Sequence, residues 1–284
     1  METKSITVIL PVKNEAGTLP EVLQQISSVL PDAEIIVVND GSSDESASIA
    51  RSCGATVISL PVSYGNGAAI KAGVRAAKGE MLVFLDADGQ HAPRDIPRLL
   101  AKLAEGYDMV VGARSSTSQA SLHRAAANGF YNRFASWMVG HPIADLTSGF
   151  RAVRANKFRK FLYLLPNGFS YPTTITMSFF RAGYPVAYEP IVAQTRIGKS
   201  HIRLVRDGIR FLLIIFNDWH PLFATKAVPA HQSRLFYDRP GILPAYLHGR
   251  SSFHQHERAV VHYLGAGVSD RIDLRADHRV EFSR

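Results

Sequence analysis

Apolar and β-branched residues cluster in short runs along the first 113 positions: Ser5–Leu10, Glu34–Val38, Ala55–Leu60, Met81–Leu85 and Asp108–Val111. Each run has strand length and is nearly continuous in hydrophobicity, which is the signature of a strand covered on both faces. Between them lie stretches with helical period near residues 18–30, 44–53, 66–78 and 95–105, the second opening at Asp44, a residue suited to capping. Alternating strands and helices predict an α/β domain built on a mostly parallel central sheet flanked by helices.

Ligands of such sheets bind beyond the carboxyl ends of the strands. Polar segments stand at those ends: Pro11-Val-Lys-Asn-Glu15, Asn39-Asp-Gly-Ser-Ser-Asp44, Asp86-Ala-Asp-Gly-Gln-His91 and Gly112-Ala-Arg114. From about 122 to 210 the pattern is helical and basic, with Phe130, Tyr131, Phe134 and Trp137 interleaved. The texture changes at Asn217. Residues 217–284 hold 7 of the 11 histidines and 8 arginines against one lysine, and no apolar periodicity persists there. The expected division is a catalytic domain over 1–216, made of a nucleotide-binding half (1–113) and a basic acceptor half (114–216), followed by a disordered tail over 217–284.

Charge sharpens this division. The chain of 284 residues carries a net charge of +8. Residues 1–113 hold 9 basic against 14 acidic side chains, residues 114–210 hold 14 against 3, and the remainder 9 against 7. A cationic central block suits phosphate or an anionic membrane surface. It carries no recognisable nucleic-acid recognition module, so nucleic acid is not an expected partner. The single cysteine, Cys53, excludes an internal disulfide and a thiolate metal cluster, and fits a reducing compartment. No secretory leader is expected at the N-terminus. The longest apolar run, Phe211–Phe216, is far short of the roughly 18–20 residues that cross a bilayer. The chain is therefore expected to be soluble or peripheral.

Asp86-Ala-Asp88, at the end of a buried strand, is the sharpest chemical signal. If a turn begins there, both carboxylates can serve one hard cation, Mg²⁺ or Mn²⁺ by the chemistry of oxygen donors, with Gln90 and His91 as further candidates. A loop cap with solvated carboxylates is the plain alternative. Asp40 offers either an Asx turn or an acceptor for a nucleobase N–H. Gly65-Asn-Gly67 opens a helix that can receive phosphate, yet it matches no dinucleotide fingerprint and also reads as a plain loop.

Leu10-Pro-Val-Lys-Asn-Glu15, Val38-Asn-Asp-Gly-Ser-Ser-Asp44, Gly65-Asn-Gly67, Phe84-Leu-Asp-Ala-Asp-Gly-Gln-His91, Val111-Gly-Ala-Arg114 and Asp145-Leu-Thr-Ser-Gly-Phe-Arg151, in this order, resemble glycosyltransferase family 2. Within it they are most similar to the polyprenyl-phosphate sugar transferases of the dolichol-phosphate mannosyltransferase type. The likeness spans about residues 5–216 and implies a GT-A-like fold with a nucleotide-diphospho-sugar donor. By that resemblance Pro11, Asn14 and Glu15 line the nucleoside pocket, Asp40 contacts the base, and Lys71 helps neutralise the donor. Asp86 faces the ribose or the metal, and Asp88 and Gln90 ligate the cation. Arg114, Arg124 and Arg151 are the expected phosphate contacts, since a guanidinium fork suits phosphate oxygens.

A departing nucleoside diphosphate develops charge that a cation and arginines stabilise, and attack from the opposite face inverts the anomeric centre. A lipid-phosphate acceptor is already ionised near neutral pH and needs no strong base. A hydroxyl acceptor does, and Asp145 is the candidate; its alternative role is a cap before Thr147. The cationic block favours the phosphate, with Lys199, Arg203, Arg206 and Arg210 beside Phe211–Phe216 suited to the inner, cytoplasmic face of a membrane. A non-catalytic protein that binds nucleotide-sugars or anionic lipids is the alternative from another class.

Relatives of this type continue into membrane-spanning helices that this sequence lacks. Two explanations stand: natural loss, or, ranked higher, a shift of reading frame near residue 217, because parts of the tail can be encoded by triplets that spell an apolar helix when read one base later. Stop codons or a polar product in that frame of the gene would refute the shift. If the shift stands, the tail's histidines carry no chemistry, and His254 and His256 are not expected to form a metal site.

Overall fold

A computed structural model describes residues 5–114, 122–168 and 170–193, with the side chains of 122–128 left aside. Strands β1 (Ile6–Val12), β2 (Glu34–Asn39), β3 (Thr56–Ser59), β4 (Met81–Phe84), β5 (Met109–Arg114), β6 (Arg151–Arg154) and β7 (Val186–Ile191) form one sheet in the order β3-β2-β1-β4-β6-β5-β7. β1 pairs in parallel with both β2 and β4, and β2 with β3. β6 runs antiparallel to β4 and β5 on either side, and β7 closes the far edge in parallel with β5.

Side-chain alternation along the strands splits the core in two. On one face Val8, Leu10, Val12, Val37, Val83 and Leu85 pack beneath helices α1 (Leu19–Val29), α2 (Ser46–Ser52) and α4 (Ile96–Ala104). On the other, Ile9, Ile36, Val38, Leu82 and Phe84 meet α3 (Asn66–Ala76), α6 (Ala155–Arg159) and α7 (Tyr171–Arg181). Buried Leu19, Val22, Leu23 and Ile26 give α1 the i, i+3, i+4, i+7 stripe that such a face requires. A smaller cluster of Ala135, Ile143, Leu146 and Met177 joins α5 (Leu122–Val139) to α7. Among the described residues no helix is long and apolar enough to cross a membrane.

The mostly parallel, doubly covered sheet agrees with the apolar pattern; the N-cap position of α2 is Glu45 rather than Asp44, which stands one residue earlier and accepts the amide of Ser46 through Oδ1 at 3.0 Å. The expectation of purely helical structure after 122 is corrected: β6 and β7 lie there. β6 is short and flanked by arginines, which hides it, and β7 carries Pro190, which only an edge strand tolerates. β6 inserts between β4 and β5, so the two expected halves share one sheet. The tail over 217–284 lies outside the described residues.

Candidate active site

The loops leaving β1, β2 and β4 are stitched together at the carboxyl end of the sheet. Asn14 has a left-handed backbone (φ 57°), and its side-chain oxygen accepts the Ser43 amide at 2.8 Å, while its own amide donates to Ser42 Oγ at 3.0 Å. Glu15 N donates to Ser46 Oγ and Ala16 N to Asp44 Oδ2. Thr18 Oγ1 donates to the carbonyl of Ala87 at 2.6 Å, tying the β1 loop to the acidic turn. Asn14 is thus a clasp between loops, with half-buried Pro11 and Glu15 beside it.

Asp40 is 4% exposed. Its carboxylate accepts Tyr64 N at 2.7 Å, Gly65 N at 2.9 Å and Ser63 Oγ at 2.8 Å. Its neighbour Asn39 accepts Ser42 N, three residues on, and closes the turn after β2. Asp40 instead pins the loop after β3, a commitment that competes with the expected contact to a base.

The Gly65-Asn-Gly67 loop does not present a phosphate cradle. The amides of Gly67 and Ala68 donate to the carbonyls of Gly168 and Asn167, which fills the first turn of α3 with backbone from the 165–168 segment. A methyl group on Gly67 would lie 2.0 Å from the Pro166 carbonyl oxygen, so only glycine permits this approach. Lys71 Nζ belongs to the same junction, donating to the Leu165 carbonyl at 3.0 Å and to Asn167 Oδ1. Lys71, expected to help neutralise the donor, fastens this loop with its ammonium.

Beyond β4 the chain does turn at the acidic pair. Asp88, 7% exposed, accepts the Gln90 amide at 3.1 Å through Oδ1, and Gly89 supplies the left-handed bend (φ 74°). Asp86 lies against Gly149, where a methyl would meet Asp86 Oδ2 at 2.7 Å. His91 is buried and stacked on Phe150 at 5.4 Å between centroids. Burial pushes its pKa down to about 4, aided by the nearby Arg114 charge and opposed by Asp88 and Asp145, so the ring is neutral.

Arg114, at the end of β5, and Asp145 form a two-pronged pair. Nε reaches Oδ2 at 2.8 Å, Nη2 reaches Oδ1 at 3.0 Å, and Nη2 also donates to Thr147 Oγ1 at 2.6 Å. The amides of Thr147 and Ser148 donate to Asp145 Oδ1. Burial favours the neutral carboxyl, but the Arg114 hydrogen bonds and charge outweigh it and hold Asp145 below the ordinary carboxylate range. For Arg114 burial is likewise outweighed, by Asp145 first and then by the charges of Asp86 and Asp88, and its pKa is raised.

Asp86, Asp88, His91, Arg114 and Asp145 are therefore brought together. Arg151 faces away from this group. It is fully buried, donating through Nη1 to the Pro172 carbonyl and Thr176 Oγ1 at 3.2 Å each and through Nη2 to the Ser148 carbonyl. The expected phosphate contact is corrected, since burial leaves that guanidinium no face for a ligand. The Arg124 side chain and Lys199 lie outside what is described. Thr147, Gly149 and Phe150 belong to the Asp145–Arg151 motif, but a spacing does not reveal which of its members face the acidic turn, and nothing in the sequence marks Tyr171.

Among the described residues no three His, Cys, Asp or Glu side chains converge as a metal cage. The donor set nonetheless fits a hard divalent cation, which in nucleotide sites takes one or two carboxylates and completes its shell with phosphate oxygens and water. Asp86 and Asp88 supply the carboxylates, the Gln90 amide is a further oxygen, and the one thiol, Cys53, is exposed at the end of α2.

Residues 7–162 match glycosyl transferase family 2, and the chain belongs to that family. It is 37% identical over 161 residues to an undecaprenyl-phosphate 4-deoxy-4-formamido-L-arabinose transferase of Klebsiella pneumoniae, over 53% of this chain and 49% of that protein. It is 38% identical over 159 residues to the protein of the same description from Enterobacter, over 52% and 48%. The chain thus spans about half the length of these curated relatives. In structure it resembles glucosyl-3-phosphoglycerate synthase of Mycobacterium tuberculosis, solved with Mn²⁺, uridine-diphosphate-glucose and phosphoglyceric acid, with a TM-score of 0.63 and 22% identity over 76% of this chain and 80% of that one. The fold is the GT-A type.

Proposed function

We propose that this chain is an inverting, divalent-cation-dependent glycosyltransferase that moves a sugar from a nucleotide-diphospho-sugar to a polyprenyl phosphate at the inner face of the cytoplasmic membrane. The observation that carries the reading is the convergence of Asp86 and Asp88 with the Arg114–Asp145 pair at the carboxyl end of the sheet. Curated relatives named as undecaprenyl-phosphate transferases support the lipid acceptor.

The cation would be held by Asp86, Asp88 and Gln90, and when bound it supplies positive charge to the departing diphosphate. Arg114 adds a second, fixed positive charge. Its orientation is preset by Asp145 and Thr147, so no reorganisation is needed as negative charge develops. His91, neutral and stacked on Phe150, holds the acidic turn against the 145–150 segment without adding charge.

Asp145, the candidate base for a hydroxyl acceptor, is assigned the cap and pairing role in this reading. Both its oxygens are engaged and its pKa is held low, which makes it a poor proton acceptor near neutral pH. A site without a strong base suits an acceptor that arrives ionised, and this favours a lipid phosphate over a hydroxyl.

The test is a screen of radiolabelled GDP- and UDP-sugars with a short polyprenyl phosphate, with and without Mn²⁺, followed by partitioning into organic solvent. Label is expected in the organic phase with one donor and Mn²⁺, and absent for Asp88→Ala. Label that stays aqueous with every donor counts against the lipid acceptor.

A further inference from the structure

We propose that Arg151 is a positioning residue whose buried guanidinium ties the 145–149 turn to the start of α7 and so presses the Gly149 backbone against the Asp86 carboxylate. The proposal rests on the reading of Asp86 and Asp88 as the cation-holding pair. From its place on β6, Arg151 hydrogen-bonds the Ser148 carbonyl on one side and the Pro172 carbonyl and Thr176 Oγ1 on the other. Tyr171 makes a second tie across the same gap, donating its hydroxyl to the Gly149 carbonyl at 3.3 Å, and its ring lies 5.8 Å from the Arg151 guanidinium carbon. The carbonyls of two successive residues, Ser148 and Gly149, are thereby fixed from α7 and β6. Gly149 in turn has no room for a methyl group before Asp86 Oδ2.

Stability does not account for this arrangement. A fully buried cation whose hydrogen-bonding partners among the described residues are two carbonyls, a hydroxyl and the Met109 thioether has paid desolvation with no carboxylate paired to it among them. Its Nε has no hydrogen-bond partner among the described residues. A packed apolar side chain of similar volume often serves a core as well or better. A fork with donors pointing in two directions does what an apolar side chain does not: it sets the distance between two backbone segments. One of those segments touches Asp86, so the clamp acts on cation geometry through the turn, as partners behind the direct ligands of metal sites do.

The test uses the full chain and four variants: Arg151→Met, Arg151→Lys, Tyr171→Phe, and Ile26→Val on α1 as a control that weakens the core elsewhere. Mn²⁺ binding is read by electron paramagnetic resonance without nucleotide, and hydrogen exchange is followed at the amides of 145–150. Arg151→Met and Tyr171→Phe are expected to weaken Mn²⁺ binding about ten-fold and to speed exchange across 145–150. Arg151→Lys should be intermediate and Ile26→Val unchanged in both readouts. Parental Mn²⁺ affinity and parental exchange in Tyr171→Phe and Arg151→Met overturn the proposal, and Tyr171→Phe alone decides it if Arg151→Met does not fold. If the parent chain itself binds no Mn²⁺, the cation reading falls and this proposal's link to Asp86 falls with it, whereas faster exchange in the variants still supports the clamp.

Discussion

Asp145 accepts Nε and Nη2 of Arg114 at 2.8 and 3.0 Å, so a carboxylate 31 positions further along the chain fixes the guanidinium that ends β5. The pair is mostly buried, with 24% of the Arg114 side chain and 6% of the Asp145 side chain exposed. Removing one member of such a pair strands the other charge. Asp145→Asn is expected to cost about 3 kcal/mol of stability, as buried pairs do when one partner is lost, and to lower transfer by at least about 100-fold through a misdirected Arg114. Urea unfolding and the initial rate of transfer measure the two effects.

Asp88→Ala is expected to abolish Mn²⁺-dependent transfer, a fall of about 10³-fold or more, with the far-ultraviolet circular dichroism unchanged. Asp88 sits in the turn after β4, outside the strands of the sheet, where it accepts the Gln90 amide. A variant that keeps parental metal dependence would remove Asp88 from the cation site.

His91 sets a pH dependence of stability. Its folded pKa, about 4, lies below the ordinary 6.5 because the buried ring resists protonation. Between those values the unfolded chain binds the proton more readily, so stability falls as pH drops from 6.5 towards 4 and is retained above 6.5. The contribution lost by pH 4 is about 3 kcal/mol. His91→Phe keeps a ring to stack on Phe150 and should flatten the pH dependence of the urea midpoint in that window.

Gly67→Ala is expected to destabilise by about 3 kcal/mol, since the new methyl would overlap a backbone carbonyl that cannot rotate away. Gly54→Ala has open space around it, and although its left-handed backbone (φ 81°) still penalises alanine, the cost is limited to about 1 kcal/mol. Thermal unfolding of the two variants separates crowding from backbone strain.

Asp40→Ala removes the acceptor of three hydrogen bonds that hold residues 63–65. The expected result is a loss of about 2–3 kcal/mol, the cost of leaving buried donors unpaired, together with a raised KM for the donor and a smaller change in kcat. A KM that stays at the parental value would leave Asp40 with a role in the loop alone.

Most of the sheet was legible because β1, β2, β4 and β5 are apolar on both faces, and continuous hydrophobicity needs no partner to be recognised. β6 escaped because its ends are arginines, one of which, Arg151, points into the core; a sequence does not distinguish a guanidinium that faces solvent from one that braces two carbonyls. β7 escaped because Glu189 and Pro190 read as a loop, and an edge strand tolerates both. At the site, Asp86, Asp88, Arg114 and Asp145 were found by motif and do converge. The actual work of Lys71 and Asp40 was hidden, because it depends on the 165–168 and 63–65 loops, whose approach is decided by tertiary packing.

The opening turn of α3 is stoppered by the protein's own backbone. On the proposed reading, an anionic group arriving nearby draws its counter-charge from side chains and the proposed cation, and dissolved electrolyte competes with those far more effectively than with a ring of buried amides. Recognition built this way weakens as ionic strength rises, which ties substrate capture to the salt content of the surroundings.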